Sequence, residues 1–283
     1  MRKKRNQSAC IEKISCPDCT IQPNTHLQTY LNEDKSLGIT WYTSFCHGPC
    51  HEAKGDPYQD SVAPKAVIKS PQQIARETNE VVACAIFAPK LPYRGIPPEF
   101  YRSWGCRTLI SEYDGKTPYA IAFPYSDYGK LSGWKCRPFH KKDFYALGRT
   151  ADADPMGLER ALRVLEDTLW MTEGEFDAVA LDYCMTMYTG KRVHPVVSLT
   201  AGGGSIEKNL DYIESRIKRK IKYLVLVVDD DEVGRLAEID AKELWGAMVK
   251  IVRKPKGSKD ANDAVLNKQA KLMGKLAIEF NKN

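Results

Sequence analysis

The chain has 283 residues, 43% hydrophobic and 28% charged, with a formal net charge of +6 and a pI near 8.7. That length can bury a real core in one large domain or two smaller ones. No apolar run approaches the roughly 18 residues a membrane span requires, and the basic opening MRKKRNQSACIEKISC lacks the apolar segment of a signal peptide. The expectation is a cytoplasmic protein with no membrane partner. A mildly positive charge permits a polyanionic partner without requiring one.

Residues 1–60 read as a first domain, rich in Cys, His, Thr and Asn. CPDC supplies Cys16 and Cys19, and CHGPC supplies Cys46 and Cys50. Nine cysteines, an odd number in a reducing compartment, argue against a disulfide framework. Two close pairs can instead give the thiolates of a tetrahedral structural zinc site. The intervening HLQTYLNEDKSLGITWYTSF alternates like the strands of a zinc ribbon. A segment so poor in core needs a metal or another staple to hold it. The second pair departs from CxxC, so His47 or His51 could substitute for a cysteine there, with Cys10 more remote. Residues 61–70, SVAPKAVIKS, read as a linker.

Residues 71–154 open with a helix expected over Pro71–Ala85, with Ser70 as N-cap and Pro71 at the first position. A mixed region follows, in which the turn signals DGK and YGK flank alternating apolar residues, a hairpin pattern. GWKCRPFHKKDF then places Lys135, Arg137, Lys141 and Lys142 among Trp134, Phe139 and His140. Such cations hold phosphates and such aromatics stack bases. The same pattern also describes a solvated hairpin.

Residues 155–283 alternate helix and strand. Helices are expected over Pro155–Glu166, Glu175–Met187, Ser205–Lys218 and Glu232–Trp245, and strands over Thr168–Thr172, His194–Leu199, Tyr223–Val228 and Met248–Arg253. This predicts an α/β fold, a parallel sheet with helices on both faces. Functional groups of such sheets gather beyond the carboxyl ends of the strands. There the sequence places Glu173 after the first strand, Asp229 and Asp231 in LVLVVDDDEVG, and Asp260 and Asp263 in KPKGSKDAND. Converging carboxylates repel one another and raise each other's pKa. A hard divalent cation such as Mg²⁺ removes the conflict, because it prefers oxygen ligands. Capping of the following helix is the competing explanation for Asp230 and Glu232. GGGS at Gly202–Ser205 lacks the lysine of a phosphate loop.

TEGEFDA, VVDDDEVG and KDAND, in that order, resemble the TOPRIM domain of primases, topoisomerases and some nucleases, in wording nearest the primase half of phage helicase–primases. PVVSL at Pro195–Leu199 adds to the likeness. The resemblance covers roughly residues 90–270. It implies a TOPRIM parallel-sheet core at 155–283, a mixed α+β N-terminal subdomain at 71–154, and a small separate zinc-ribbon domain at 1–60. It implies that Glu173, Asp229 and Asp231 bind Mg²⁺ or Mn²⁺, that Asp260 supports them, and that Lys259 contacts phosphate. Lys135 and Lys142 match the nucleotide- and template-binding cations best, with Arg137 and Lys141 beside them and Arg107 a weaker candidate.

The function so implied is a DNA primase, a DNA-directed RNA polymerase of bacteriophage type. It would bind a single-stranded DNA template and ribonucleoside triphosphates and work with a replicative helicase and a DNA polymerase. The same acids would serve a TOPRIM nuclease, and a zinc-plus-TOPRIM recombination mediator would bind DNA without chemistry. A zinc ribbon and a basic subdomain ahead of the acids favour the primase. The sequence shows no ATPase motif after KDAND, so the helicase is expected either as a separate polypeptide or as the missing part of a fused one.

Overall fold

The computed structural model describes residues 9–14, 27–34, 39–46, 53–55, 69–87, 92–111, 113–141, 143–151, 153–200, 206–217 and 221–281. Its contacts divide the chain into two units, Met1–Ile68 and Lys69–Asn283.

The first unit contains a four-stranded antiparallel sheet in the order β1 (Ala9–Ile14), β2 (Leu27–Asp34), β3 (Ile39–Cys46), β4 (Ala53–Gly55). β2 and β3 pair in unbroken register from Leu27↔Cys46 to Asp34↔Ile39, over the stretch whose alternation predicts strands. Cys46 closes β3, while Cys16, Cys19 and Cys50, with His47 and His51, lie outside the described residues. The expected zinc site therefore lies outside them too.

The second unit begins with α1 (Pro71–Cys84), capped by Ser70, whose Oγ accepts a hydrogen bond from Gln73 N at 3.1 Å. A five-stranded antiparallel sheet follows, in the order β5 (Ala85–Phe87), β6 (Arg107–Ile110), β7 (Pro118–Asp127), β8 (Lys130–Pro138), β9 (Tyr145–Gly148), with α2 (Pro98–Ser103) between β5 and β6. Both expected hairpin turns form. In the second, Tyr128 (φ 48°) and Gly129 (φ 77°) are both left-handed, the two-residue geometry that matches strand twist. The period of two along β8 turns Trp134 and Cys136 into a core with Val81 of α1, and leaves Lys135 and Arg137 less buried on the opposite side. The Trp134 indole donates to Thr78 O at 3.1 Å, tying α1 to the sheet.

A parallel sheet then forms in the order β11 (Val196–Ser198), β10 (Thr168–Thr172), β12 (Tyr223–Val227), β13 (Val249–Ile251). β10, β11 and most of β12 are buried on both faces, as a doubly covered sheet requires, while β13 at the edge is only partly buried. Trp170, Val196, Val225 and Val227 pack toward α4 (Glu175–Thr189), α7 (Ala261–Leu266) and α8 (Ala270–Ile278). Leu169, Met171, Val197, Leu224 and Leu226 pack toward α3 (Leu158–Val164), α5 (Ile206–Arg216) and α6 (Glu232–Trp245). Each such side chain taken fully out of water contributes roughly 1.5–3 kcal/mol. The first of these cores also takes in Ile96, Tyr101, Trp104, Ile121, Phe123 and Tyr125, so both sheets share one hydrophobic cluster.

Some boundaries differ from expectation. The helix expected over Pro155–Glu166 is only Leu158–Val164, because Met156 is held in a β-bridge to Ser198 and Gly157 turns the chain at φ 86°. A Cβ on Gly157 would lie 2.4 Å from the Trp104 ring, so the turn fits only glycine. Strands expected at His194–Leu199 and Met248–Arg253 pair only over Val196–Ser198 and Val249–Ile251, and the helix expected over Ser205–Lys218 spans Ile206–Arg216. The loop expected at KPKGSKDAND ends in α7, with Asp260 as its cap. Among the described residues, no helix is long and apolar enough to cross a membrane.

Candidate active site

At the carboxyl edge of the parallel sheet, Asp229 leaves β12, Asp177 projects from the first turn of α4, and Asp260 caps α7. One carboxylate oxygen from each lies within 4.8 Å of the other two. Their charges conflict. Burial, then the charges of Glu173 and Asp260, push the Asp229 carboxyl up to about 6, against a pull downward from Lys254. Burial, then the charge of Asp260, likewise raises Asp177. An all-oxygen, anionic donor set of this spacing fits a hard divalent cation, which would relieve the repulsion.

The expected acids divide around this cluster. Glu173 lines the same cavity, and its Oε2 accepts a long hydrogen bond from Asp229 N at 3.5 Å. Asp231 stands outside the three-carboxylate group; it is exposed and caps α6, its Oδ1 accepting from Gly234 N at 2.9 Å. The capping considered for Asp230 and Glu232 thus falls to Asp231. Asp230 pairs with Lys254 at 2.9 Å and Glu232 with Arg235 at 2.5 Å. Asp260 Oδ1 accepts from Asp263 N at 2.5 Å. Lys259 is exposed beside it.

A cavity of 240 Å³ brings these acids together with cations from the antiparallel half. Arg94, Lys135, Arg137 and Phe144 line it with Glu173, Glu175, Asp177, Asp229 and Asp260. Glu175, 1% exposed, accepts from Lys135 Nζ at 2.7 Å and from the Tyr125 hydroxyl. Lys135 and Arg137 lie over the Phe144 ring at 4.7 and 4.9 Å, and Arg137 and Arg94 over Phe176 at 5.4 and 4.6 Å. Alternating rings and cations hold three like charges near one another without direct contact. Lys141 is exposed and not part of the lining, Arg107 opens β6 away from it, and Lys142 lies outside the described residues.

Sequence reasoning missed Asp177, Glu175, Arg94 and Phe144. Asp177 had a legible signal: it follows Glu173 by four positions in TEGEFD, one helical turn past the strand tip. Arg94 had none, because its place depends on a turn packed against a helix far along the chain.

Residues 170–265 match the Toprim-like family. They form a Toprim-like domain. It runs from β10 into α7 and so contains Glu173, Asp177, Asp229, Asp231, Lys259 and Asp260, while Arg94, Lys135 and Arg137 precede it. No curated protein sequence matches the chain. Among solved structures, the primase fragment of the bacteriophage T7 primase-helicase protein shares the fold, with TM-score 0.55 and 22% identity over 96% of this chain and 100% of that one. The primase domain in a bacteriophage T7 lagging-strand DNA polymerase complex, bound to an RNA/DNA hybrid and dTTP, matches at TM-score 0.50 and 26% identity over 65% of this chain and 88% of that one. The RNA polymerase domain of the Mycobacterium tuberculosis primase DnaG matches at TM-score 0.51 and 16% identity over 74% and 84%. The fold joining the Toprim-like domain to the antiparallel half is thus one shared with phage and bacterial primase structures.

Proposed function

We propose that the protein is a DNA primase, making short oligoribonucleotides on a single-stranded DNA template by metal-dependent nucleotidyl transfer. The observation that carries this reading is the meeting of Asp177, Asp229 and Asp260 with Arg94, Lys135 and Arg137 around one cavity. Phosphoryl chemistry needs both charges: anions to hold a cation, and cations to neutralise a triphosphate. Asp177, Asp229 and Asp260 hold Mg²⁺ or Mn²⁺, with Glu173 and Asp231 adding negative charge at the rim. Bound there, the ion would activate the attacking 3′-hydroxyl and offset charge on the α-phosphorus. Arg94, Lys135 and Arg137 bind the triphosphate. Lys141 and Lys259 reach template or phosphate farther out, and Lys142 is assigned the same role. Glu175 holds Lys135 at the cavity through their ion pair at 2.7 Å.

In the same reading, residues 1–60 form a zinc ribbon through Cys16, Cys19, Cys46 and Cys50 that inspects the template. Residues 61–70 link it to the basic subdomain at 71–154 and the metal-binding subdomain at 155–283. The primer passes to a DNA polymerase, and the chain works beside a replicative helicase. The polymerase complex that contains a primase domain of this fold supports the first of these partners.

The test offers the protein single-stranded DNA of varied sequence, labelled ATP and CTP, and Mg²⁺. Labelled oligoribonucleotides are expected, and Asp229→Ala should abolish them. Shortened DNA would instead mean a nuclease, and a gel shift without new product a DNA-binding mediator. Metal analysis of the purified chain should find about one zinc per molecule, the occupancy of a single tetrahedral four-thiolate site.

A further inference from the structure

One buried side chain connects parts of the site that lie 168 positions apart. Asn262, 1% exposed, donates from its backbone N to Asp177 Oδ1 at 3.1 Å and from its side-chain Nδ2 to the main-chain O of Arg94 at 3.1 Å. Its own Oδ1 is buried with no hydrogen-bond partner among the described residues. A buried amide usually satisfies both ends, whereas here the donor is used and the acceptor goes unpaired, a cost that the contact to Arg94 must offset.

The segment it grips is a tight turn. Tyr93 N donates to Ile96 O at 3.1 Å and Ile96 N to Tyr93 O at 3.0 Å. The two residues between, Arg94 and Gly95, are both left-handed, with φ of 51° and 76°. For arginine that conformation is unfavourable and needs surrounding contacts to persist. α7 supplies them. Besides the Asn262 bond, it lies so close that a Cβ on Gly95 would sit 2.9 Å from Val265 Cγ1. The turn in turn sets Arg94 over Phe176 at 4.6 Å and into the cavity lining.

We propose that Asn262 is a positioning residue for the triphosphate: through the main chain of Arg94 it fixes the guanidinium at the cavity, while touching no ligand itself. The inference rests on the reading that this cavity takes a metal-bound nucleoside triphosphate. The two hydrogen bonds come from different parts of the residue, which makes the roles separable. Asn262→Ala deletes the bond to Arg94 and keeps the backbone bond to Asp177. Asn262→Leu fills the same volume without a donor, for use if the alanine variant folds poorly.

The experiment uses the full chain and two probes, Mn²⁺ alone and ATP in the presence of Mn²⁺, followed by electron paramagnetic resonance and calorimetry. Either Asn262 variant should weaken ATP by about tenfold, as one lost hydrogen bond can, with Mn²⁺ affinity within about twofold of the unaltered protein. In an Arg94→Ala background the Asn262 change should have no further effect, because both act on one interaction. Trypsin should also cut faster after Arg94 in the Asn262 variants. Equal loss of Mn²⁺ and ATP, independent effects in the double variant, or unchanged cleavage after Arg94 would overturn the proposal. If the unaltered protein binds Mn²⁺ but no ATP, the function reading fails, and the cleavage rate after Arg94 still decides whether Asn262 holds the turn.

Discussion

Lys135 Nζ lies 2.7 Å from Glu175 Oε1, an ion pair that crosses from strand β8 of the antiparallel sheet to helix α4 of the Toprim-like domain. The acid is 1% exposed and the lysine side chain 22%. Lys135→Ala would leave Glu175 buried with the Tyr125 hydroxyl as its remaining partner. Stranding a buried charge in this way costs about 2–4 kcal/mol. Urea unfolding should show that loss for Lys135→Ala, and a smaller one for Lys135→Ala combined with Glu175→Gln. Equal losses would mean that the pair carries no burial penalty.

Asp231 and Asp229 stand two positions apart and should behave differently. Asp231→Asn keeps an equally good cap on α6, so stability should change by only a few tenths of a kcal/mol, whereas Asp231→Ala should cost about 1 kcal/mol. Asp229→Asn and Asp177→Asn remove charge from the three-carboxylate cluster and should each weaken Mn²⁺ by about tenfold or more. Thermal melts and Mn²⁺ titrations of the four variants separate a capping role from a ligand role.

The raised Asp229 carboxyl predicts a pH dependence. Its folded value of about 6 exceeds the ordinary 3.8, so the metal-free folded chain holds a proton that the unfolded chain releases. This group's contribution to stability is complete below the ordinary value and is lost as pH rises through about 6. Mn²⁺ needs the ionised form, so its affinity should climb over the same window, and Asp177, also raised, should extend the climb. Calorimetry in buffers of different ionisation enthalpy should detect protons released on binding near pH 6. Asp260→Ala should reduce that release, because the charge of Asp260 helps raise both groups.

Gly274 sits in α8, where alanine would normally favour a helix by about 1 kcal/mol. Here a Cβ would lie 2.0 Å from Cys184 O of α4. The helices must move apart to admit it, so Gly274→Ala should lower the unfolding free energy by about 1–3 kcal/mol rather than raise it. Alanine at Gly190, whose Cβ would meet nothing within 4 Å, is the comparison. Its cost should come only from the left-handed φ of 73° and should stay near 1 kcal/mol.

Much of the Toprim-like half was legible because its signals are local. Continuous aliphatic runs such as LVLVV mark strands buried on both faces, and the residue after such a run must emerge at the sheet edge. That reasoning found Glu173, Asp229 and Asp260, and it bounded β10 and α6 correctly. The helix expected from Pro155 starts only at Leu158, because a bridge from Met156 to Ser198, 42 positions away by their numbers, outweighs helical propensity in its first residues. Lys135 and Arg137 were legible from the alternation of β8, but their common cavity with Arg94 was not.

The sequence alone determined the strand–helix alternation, the carboxylates at the strand ends and the basic strand ahead of them, because side-chain periodicity and burial are set within a few residues. The tertiary structure decided which acids share one cluster, admitting Asp177 and leaving Asp231 as a cap. It also decided that Arg94 belongs to the site. Those outcomes depend on where distant elements cross, and a hydrogen bond such as Asn262 to Arg94 exists only after both sheets have packed on their shared core.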